Sequence, residues 1–268
     1  SVFNVTDQSA ELTWFGSTAS VYNVQYRPLN GGVWTTTTVT NNCFLVNNLE
    51  PCTDYEFQVE AYCSATVSTG YASQNFTTEP LTLAVKVCLE GAYDVSNNSM
   101  FTNLRNSNLI PLNQPYNTAP WNYNGTESVA NAEAIPTNAV DWLLLELWED
   151  NNWGVPVIQK AGFLLVDGSV VAANGANGLT ICNLDANALY RIVVRHRNHM
   201  AVVASVVRST SNFLPYDFTT AATRVLGDNQ QKELTTAVFG LYAADPNANA
   251  LITYTDFNAY VNTIGNTN

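Results

Sequence analysis

The stretch Asn48–Ser64, NLEPCTDYEFQVEAYCS, constrains the fold of this chain more than any other. Tyr55, Phe57, Val59 and Ala61 alternate with Glu56, Gln58, Glu60 and Tyr62. A period of two puts one face of a strand in a core and the other in water. Leu49, Pro51 and Thr53 precede the run as a turn, so the strand is entered through a corner that carries Tyr55.

Shorter runs of the same kind surround it. AELTW (Ala10–Trp14) reads as a strand with Trp14 in the core, and VYNVQYR (Val21–Arg27) as its neighbour in sequence. VWTTTTVT (Val33–Thr40) is β-branched and reads as an exposed strand. FLV (Phe44–Val46) leads into the corner, YASQNFTT (Tyr71–Thr78) closes the unit, and Pro80 marks its boundary. Residues 1–79 taken together resemble a fibronectin type III domain. The resemblance implies a sandwich in which the corner tyrosine returns its hydroxyl to nearby backbone. It also implies a non-catalytic spacer or binding unit of an extracellular protein. There is no Arg-Gly-Asp tripeptide to suggest integrin-style binding.

A length of 268 residues allows one large domain or two ordinary ones. Hydrophobic residues make up 46%, ample for real cores, while charged residues are only 12%, about half the usual share. Asn, Thr, Ser and Gln supply the polarity instead, which suits β-sheet surfaces. Ten Lys and Arg against a net charge of −12 exclude nucleic-acid binding, which needs clustered cations. No run of 18 apolar residues offers a transmembrane helix. No secretory signal stands at the start, and Ser1 falls where a first strand begins (Val2, Phe3, Val5), so the chain reads as a mature or excised product.

Residues 80–225 read as a second β domain. LAVKVCLEG (Leu81–Gly91) alternates as a strand, and Asn97–Gly125, rich in Asn, Pro and Tyr, reads as a long ordered loop. WLLLELW (Trp142–Trp148) is nearly all apolar, as in a strand buried on both faces. Phe163–Val171 reads as a hairpin with Asp167-Gly168 as a two-residue turn. LYRIVVRHR (Leu189–Arg197) and AVVASVV (Ala201–Val207) add two strands around a short turn. The fold class is therefore all-β: two tandem β-sandwiches, the second of jelly-roll or immunoglobulin-like type, with a small loop-helix tail at 226–268. VKVCLEGAY (Val85–Tyr93), LIPLNQPYNTAPWNYNGTESV (Leu109–Val129), IPTNAVDWLLLEL (Ile135–Leu147) and VVRHRNHMAV (Val193–Val202) resemble a domain found near the C-termini of large secreted proteins of Bacteroidetes-type bacteria. VFGLYAADPNANALITYTDFNAY (Val238–Tyr260) continues that resemblance. It implies company with adhesion, repeat or carbohydrate-related modules, and assigns no activity.

The tail holds the best candidate ligand site. Asp245, Asn247, Asn249, Thr253 and Asp256 stand at positions 1, 3, 5, 9 and 12 of a loop, with the Leu251 carbonyl at position 7. Calcium takes six to eight oxygens, and this spacing wraps them around one ion. Phe257, Tyr260, Val261 and Ile264 then form the apolar stripe of an exiting helix. The pattern resembles the calcium loop of dockerin-type repeats, with two departures. Ala250 stands where glycine is usual, and only two ligands are charged, which weakens affinity. The competing reading is a loop held by Asx turns alone.

Five cysteines form no CxxC pair and no zinc-spaced cluster, so in an exported chain they read as disulfide material. Cys43 with Cys63 and Cys88 with Cys182 are the candidate pairs, which would leave Cys52 at the corner as a free or intermolecular thiol; sequence alone does not fix the connectivity. His196 and His199 are the only histidines; on one strand they face opposite ways, and only a turn between them brings them together. Structural ion pairs are the expectation for the arginines beside them. Asp141, Glu146, Glu149 and Asp150 lie close in sequence, without evidence of the cleft that paired-carboxylate catalysis needs. Of the aromatic residues Trp121, Tyr123, Trp142, Trp148 and Trp153, the loop residues Trp121 and Tyr123 are the candidates for glycan stacking. No serine elbow, phosphate loop or nucleotide fingerprint appears.

The expectation is a non-catalytic, secreted structural or adhesive protein of a bacterial cell surface, joining copies of itself as an oligomer or filament. The alternative is a carbohydrate-binding accessory fragment of a secreted hydrolase, with cell-surface glycans as partners.

Overall fold

The computed structural model describes residues 1–15, 21–64, 67–185, 188–210, 215–249 and 251–263, and leaves out the side chains of 63, 64, 67 and 260–263. The described residues are almost entirely β in character, with two small α-helices, Asn103–Asn106 and Tyr254–Thr263. It divides into two compact units. The first is Ser1–Leu81 with Ile181–Ala188, and the second is Thr82–Thr180 with Leu189–Asn268. The tail belongs to the second unit rather than standing alone.

In the first unit, Val2–Phe3, Ala10–Thr13 and Cys43–Val46 form one antiparallel sheet. Thr35–Val39, Val21–Pro28, Asp54–Ser64 and Ala72–Thr77 form the other. Leu12, Val24, Val46, Leu49, Tyr55 and Phe57 fill the space between them. The alternation in Asp54–Ser64 places Tyr55, Phe57, Val59 and Ala61 inside, none above 9% exposure. At the corner, the Glu50 amide donates to the Tyr55 hydroxyl oxygen at 3.0 Å. Thr78 adds a second tie: its hydroxyl donates to the Glu50 carbonyl and accepts from the Thr53 amide. The corner is thus closed by side chains from both strands at one end of the pair, and the Tyr55 ring stacks on Phe76 at 5.6 Å.

The cysteines pair otherwise than expected. Cys52 is bonded to Cys182, while Cys43 is exposed and free and Cys88 is buried and free. The Cys43–Cys63 and Cys88–Cys182 pairings and the free Cys52 are therefore corrected. The reason lies in the chain path: 181–188 packs with the first unit, where Cys182 comes within a Cα–Cα distance of 5.3 Å of Cys52. Cys88 stays inside the second unit, and burial pushes its thiol up to about 11.

The second unit is organised on a five-stranded antiparallel sheet, in the order Val170–Val171, Ile158–Leu165, Ala139–Glu149, Tyr190–His196, His199–Val203. Its central strand is buried at every position from Ala139 to Leu147, so the apolar run does mark a strand covered on both faces. Over one face, Trp142, Leu144, Ala161 and Phe163 meet Ile110, Tyr116, Tyr123 and Ile135. The long loop is held there by polar tethers at its apolar anchors: the Tyr116 hydroxyl donates to the Trp142 carbonyl, and the Trp142 indole donates to the Pro111 carbonyl, both at 2.8 Å.

Three expected elements differ. Leu81–Gly91 is not one strand but Leu81–Leu83 and Val85–Lys86, followed by a 3-10 turn at Glu90–Ala92. Its backbone is shared among several partners: Val85–Lys86 pairs with Tyr216–Asp217, Val87 donates to Gly168, and Glu90 donates to Leu241. The Asp167-Gly168 hairpin has a three-residue loop, closed by Leu165 and Ser169, rather than two. Gly168 sits at φ +85°, and a Cβ there would come within 2.9 Å of the Val87 carbonyl, so glycine is required twice over. The last expected strand starts earlier, at His199, because Arg197-Asn198 already makes the turn.

The Cys52–Cys182 bond spans 130 residues of sequence. Cross-links over such loops remove much entropy from the unfolded chain. Replacing both cysteines by serine is expected to lower unfolding stability by about 2–5 kcal/mol. Guanidinium melts of wild type and variant, with and without reductant, check this, and wild type in reductant should match the variant.

Candidate functional site

Two polar clusters in the second unit invite a functional reading. One is the histidine pair. The turn at Arg197-Asn198 sets His196 opposite His199 across adjacent strands, and their Nδ1 atoms lie 2.9 Å apart. Both rings are about 5% exposed. The hydrogen bonds decide the protons. The Gly91 amide donates to His199 Nε2, so His199 carries its proton on Nδ1 and donates it to His196 Nδ1. His196 Nδ1 also accepts from the Asn198 amide, so the His196 proton is on Nε2, where it is given to Asp141 at 3.1 Å. Arg197 completes the set with a two-pronged bond to Asp141, both contacts at 2.9 Å.

Every ring nitrogen is therefore engaged in holding the hairpin turn, the central strand and the Glu90–Ala92 turn together. Glu90 extends the network by accepting from the Ala243 amide at 2.9 Å. Burial works to raise the Asp141 pKa, but the bonds from His196 and Arg197 outweigh it and hold the carboxyl below its ordinary value. Burial, with the neighbouring His196, drives His199 down from 6.5 to about 2. The cluster lines one wall of a cavity of about 700 Å³ that also touches Phe101, Leu104 and Leu109. No group of three or more His, Cys, Asp or Glu suited to a metal occurs among the described residues.

The four neighbouring carboxylates do not converge. Asp141 serves the histidine pair, Glu146 pairs with Arg195 on the other face of the strand, and Asp150 pairs with Arg191. Glu149 closes a local turn with Asn152. The sequence signal that identified the arginines as ion-pair partners was sound, whereas the partners themselves depend on strand register. Tyr123 is buried at 7% exposure, with its hydroxyl donated to Glu127, and offers no open ring face. Trp121 is half-buried with its ring against the edge of Tyr116.

The second cluster is the tail loop. Asp245 and Asp256 are each 1% exposed, in a loop that is otherwise largely open. Asp245 Oδ1 and Asn247 Oδ1 both accept from the Asn249 amide, and Asn249 Oδ1 accepts from Leu251. Asp256 Oδ2 accepts from the Thr253 amide at 2.8 Å and its hydroxyl at 3.1 Å, capping the Tyr254–Thr263 helix. Asp256 Oδ1 is buried and has no hydrogen-bond partner among the described residues. A carboxylate oxygen without donors in a buried setting is costly. A hard cation would meet that cost, so the donors fit calcium: oxygens only, with amides, a hydroxyl and a carbonyl supplementing two carboxylates. The Asx turns of the competing reading are present too, and they leave this oxygen unmatched. Ala250 and Ile264 lie outside the described residues, as do the side chains of Tyr260 and Val261.

Residues 1–78 match the family model of the fibronectin type III domain. Among solved structures, the chain is similar to a computationally redesigned β-sandwich protein at 27% identity, over 30% of this chain and 88% of that one, with a TM-score of 0.28. It is similar to the fn3 domain of the human collagen alpha-1(XX) chain at 19% identity, over 30% and 76%, with a TM-score of 0.28. It also resembles titin domains A168–A170 at 23% identity, over 29% and 30%, with a TM-score of 0.26. No curated protein matches the chain. The fibronectin type III match makes the first unit a module of the structural or binding kind, a type that is ordinarily non-catalytic. That match and the disulfide are compatible with an extracellular protein, and no helix among the described residues is long and apolar enough to cross a membrane.

The histidine pair makes stability depend on pH. His199 stays neutral in the fold, while in the unfolded chain it takes a proton below 6.5. The unfolded state therefore binds more protons between pH 6.5 and about 2, and stability is full above that window and falls as pH drops into it. The expected slope is up to about 1.4 kcal/mol per pH unit. Denaturant melts at pH 7 and pH 5 should show the fall, and His199→Gln should flatten it while lowering stability at pH 7.

Proposed function

We propose that the chain is a non-catalytic, extracellular structural or adhesive module that joins copies of itself on a bacterial cell surface or in a filament, with calcium bound in its tail loop. What carries the reading is the first unit's undefended sheet edges. Thr35–Val39 pairs only with Val21–Pro28, and Ala72–Thr77 only with Asp54–Ser64, among the described strands. Edge strands invite pairing with other chains unless lysines, prolines or bulges block them. Residues 1–79 contain no lysine and a single arginine, and the outer edge is a run of four threonines.

An open groove supports the same reading. It has a volume of about 790 Å³, and Phe3, Trp14, Tyr22, Phe57 and Val59 line it. Phe15 at its rim is fully exposed, and the Trp14 indole N–H is buried without a partner among the described residues. An added strand offers what is missing: alternate side chains for the apolar walls and backbone carbonyls for the indole.

In the tail, Asp245, Asn247, Asn249, Leu251, Thr253 and Asp256 would hold the ion, which supplies charge neutralisation and fixes the loop. Calcium should raise the thermal midpoint of the full chain, and Asp256→Asn should abolish the rise. At a calcium concentration a hundred times the dissociation constant, the gain is about 2.7 kcal/mol. For assembly, sedimentation velocity should show species growing with concentration, and the Thr36→Lys/Thr38→Lys double variant should remain monomeric. A monodisperse wild-type monomer at the highest concentration, with calcium present, overturns self-association.

A further inference from the structure

Beyond self-association, we infer that the second unit carries a saccharide platform built on Trp148 and Trp153, one that takes a neutral pyranose. Trp148, Glu146 and Leu144 project from one face of the central strand, with Gln159 opposite Glu146 and Arg195 opposite Leu144 on the flanking strands. The inner half of this face lies under the Tyr116–Tyr123 loop. The outer half instead bears a carboxylate that is 3% exposed.

Glu146 organises that surface. Its Oε1 accepts from Gln159 Nε2 at 2.9 Å. Its Oε2 accepts from the Trp148 indole and from Arg195 Nε, each at 2.8 Å. One buried carboxylate thus fixes the plane of an indole, an amide and a guanidinium. Trp153 stacks on Trp148 with centroids 5.9 Å apart and planes 25° apart, and it is 47% exposed. Arg195 reaches Glu146 through Nε, and Gln159 reaches it through Nε2, which leaves the terminal guanidinium nitrogens and the amide oxygen for a ligand.

The arrangement suits a sugar ring. A pyranose has a face of C–H bonds that packs on an indole, and a rim of hydroxyls that both donate and accept. Here Glu146 holds the Trp148 indole, the Gln159 amide and the Arg195 guanidinium in place, so less side-chain entropy is lost at these three groups on binding. Charge selects a neutral sugar over an acidic one. Glu146 cancels Arg195 and Asp150 cancels Arg191, while the chain as a whole carries −12. Trp153 is the more exposed member of the stack, and it is the ring on which the sugar packs. The site differs from the loop aromatics Trp121 and Tyr123, which face the core.

The test is a tryptophan-fluorescence titration of the full chain with cellohexaose, mannohexaose, xylohexaose and galactohexaose, with glucuronic and galacturonic acid oligomers beside them. It is run on the Thr36→Lys/Thr38→Lys background, so that self-association cannot mimic affinity. Saturable binding to at least one neutral probe is expected. Trp153→Ala should weaken it about tenfold or more. Arg195→Lys should weaken it while circular dichroism stays native, and Trp121→Ala should leave it unchanged. The inference is overturned by no binding to any neutral probe, by preference for the acidic oligomers, or by binding that survives Trp153→Ala. None of these outcomes bears on the first unit's association, which is read by sedimentation.

Discussion

The second unit depends on how it keeps a charge in its interior. Asp141 sits in the strand that is buried on both faces, where an isolated carboxylate would be neutralised or would unfold its surroundings. Arg197 and His196 reach it from the neighbouring hairpin, and His199 passes the chain of hydrogen bonds on to Gly91. The network is fully satisfied, which is the condition under which buried polarity rigidifies a core instead of weakening it. It also explains why both histidines of the chain lie within one turn: each is needed with one tautomer, and each enforces the tautomer of the other.

Much of the architecture could be read from residue order. The alternation at Tyr55–Ala61, the apolar run at Trp142–Trp148 and the threonine stretch all became strands because period and β-branching are local signals. The corner tyrosine bond could be expected as well, since its partner lies five residues away. What failed depended on partners distant in sequence. Leu81–Gly91 has strand composition, yet its backbone bonds go to several separate segments, and no local pattern encodes that. The cysteine pairing failed for the same reason, because Cys182 belongs to the second unit by position and to the first by packing.

The candidate sites divide in the same way. The candidate ligands of the tail follow one another along twelve positions, so their spacing was visible, and the structure adds the buried, unmatched oxygen of Asp256. The Trp148–Trp153 surface was less visible. Its aromatics could be named from sequence, but the clamp that orients them joins residues from three strands and is a product of register. Tyr123 shows the converse: a tyrosine in a polar loop reads as exposed, yet the loop itself is the lid of the core.

The Cys52–Cys182 bond also has a temporal meaning. A chain emerging from a ribosome offers residues 1–81 long before 181–188. Cys52 therefore precedes its partner by 130 residues of synthesis, and Cys43 and Cys63 are both made before Cys182. The cross-link of the first unit can close only after Cys182 has been made, so it depends on the order in which thiols meet.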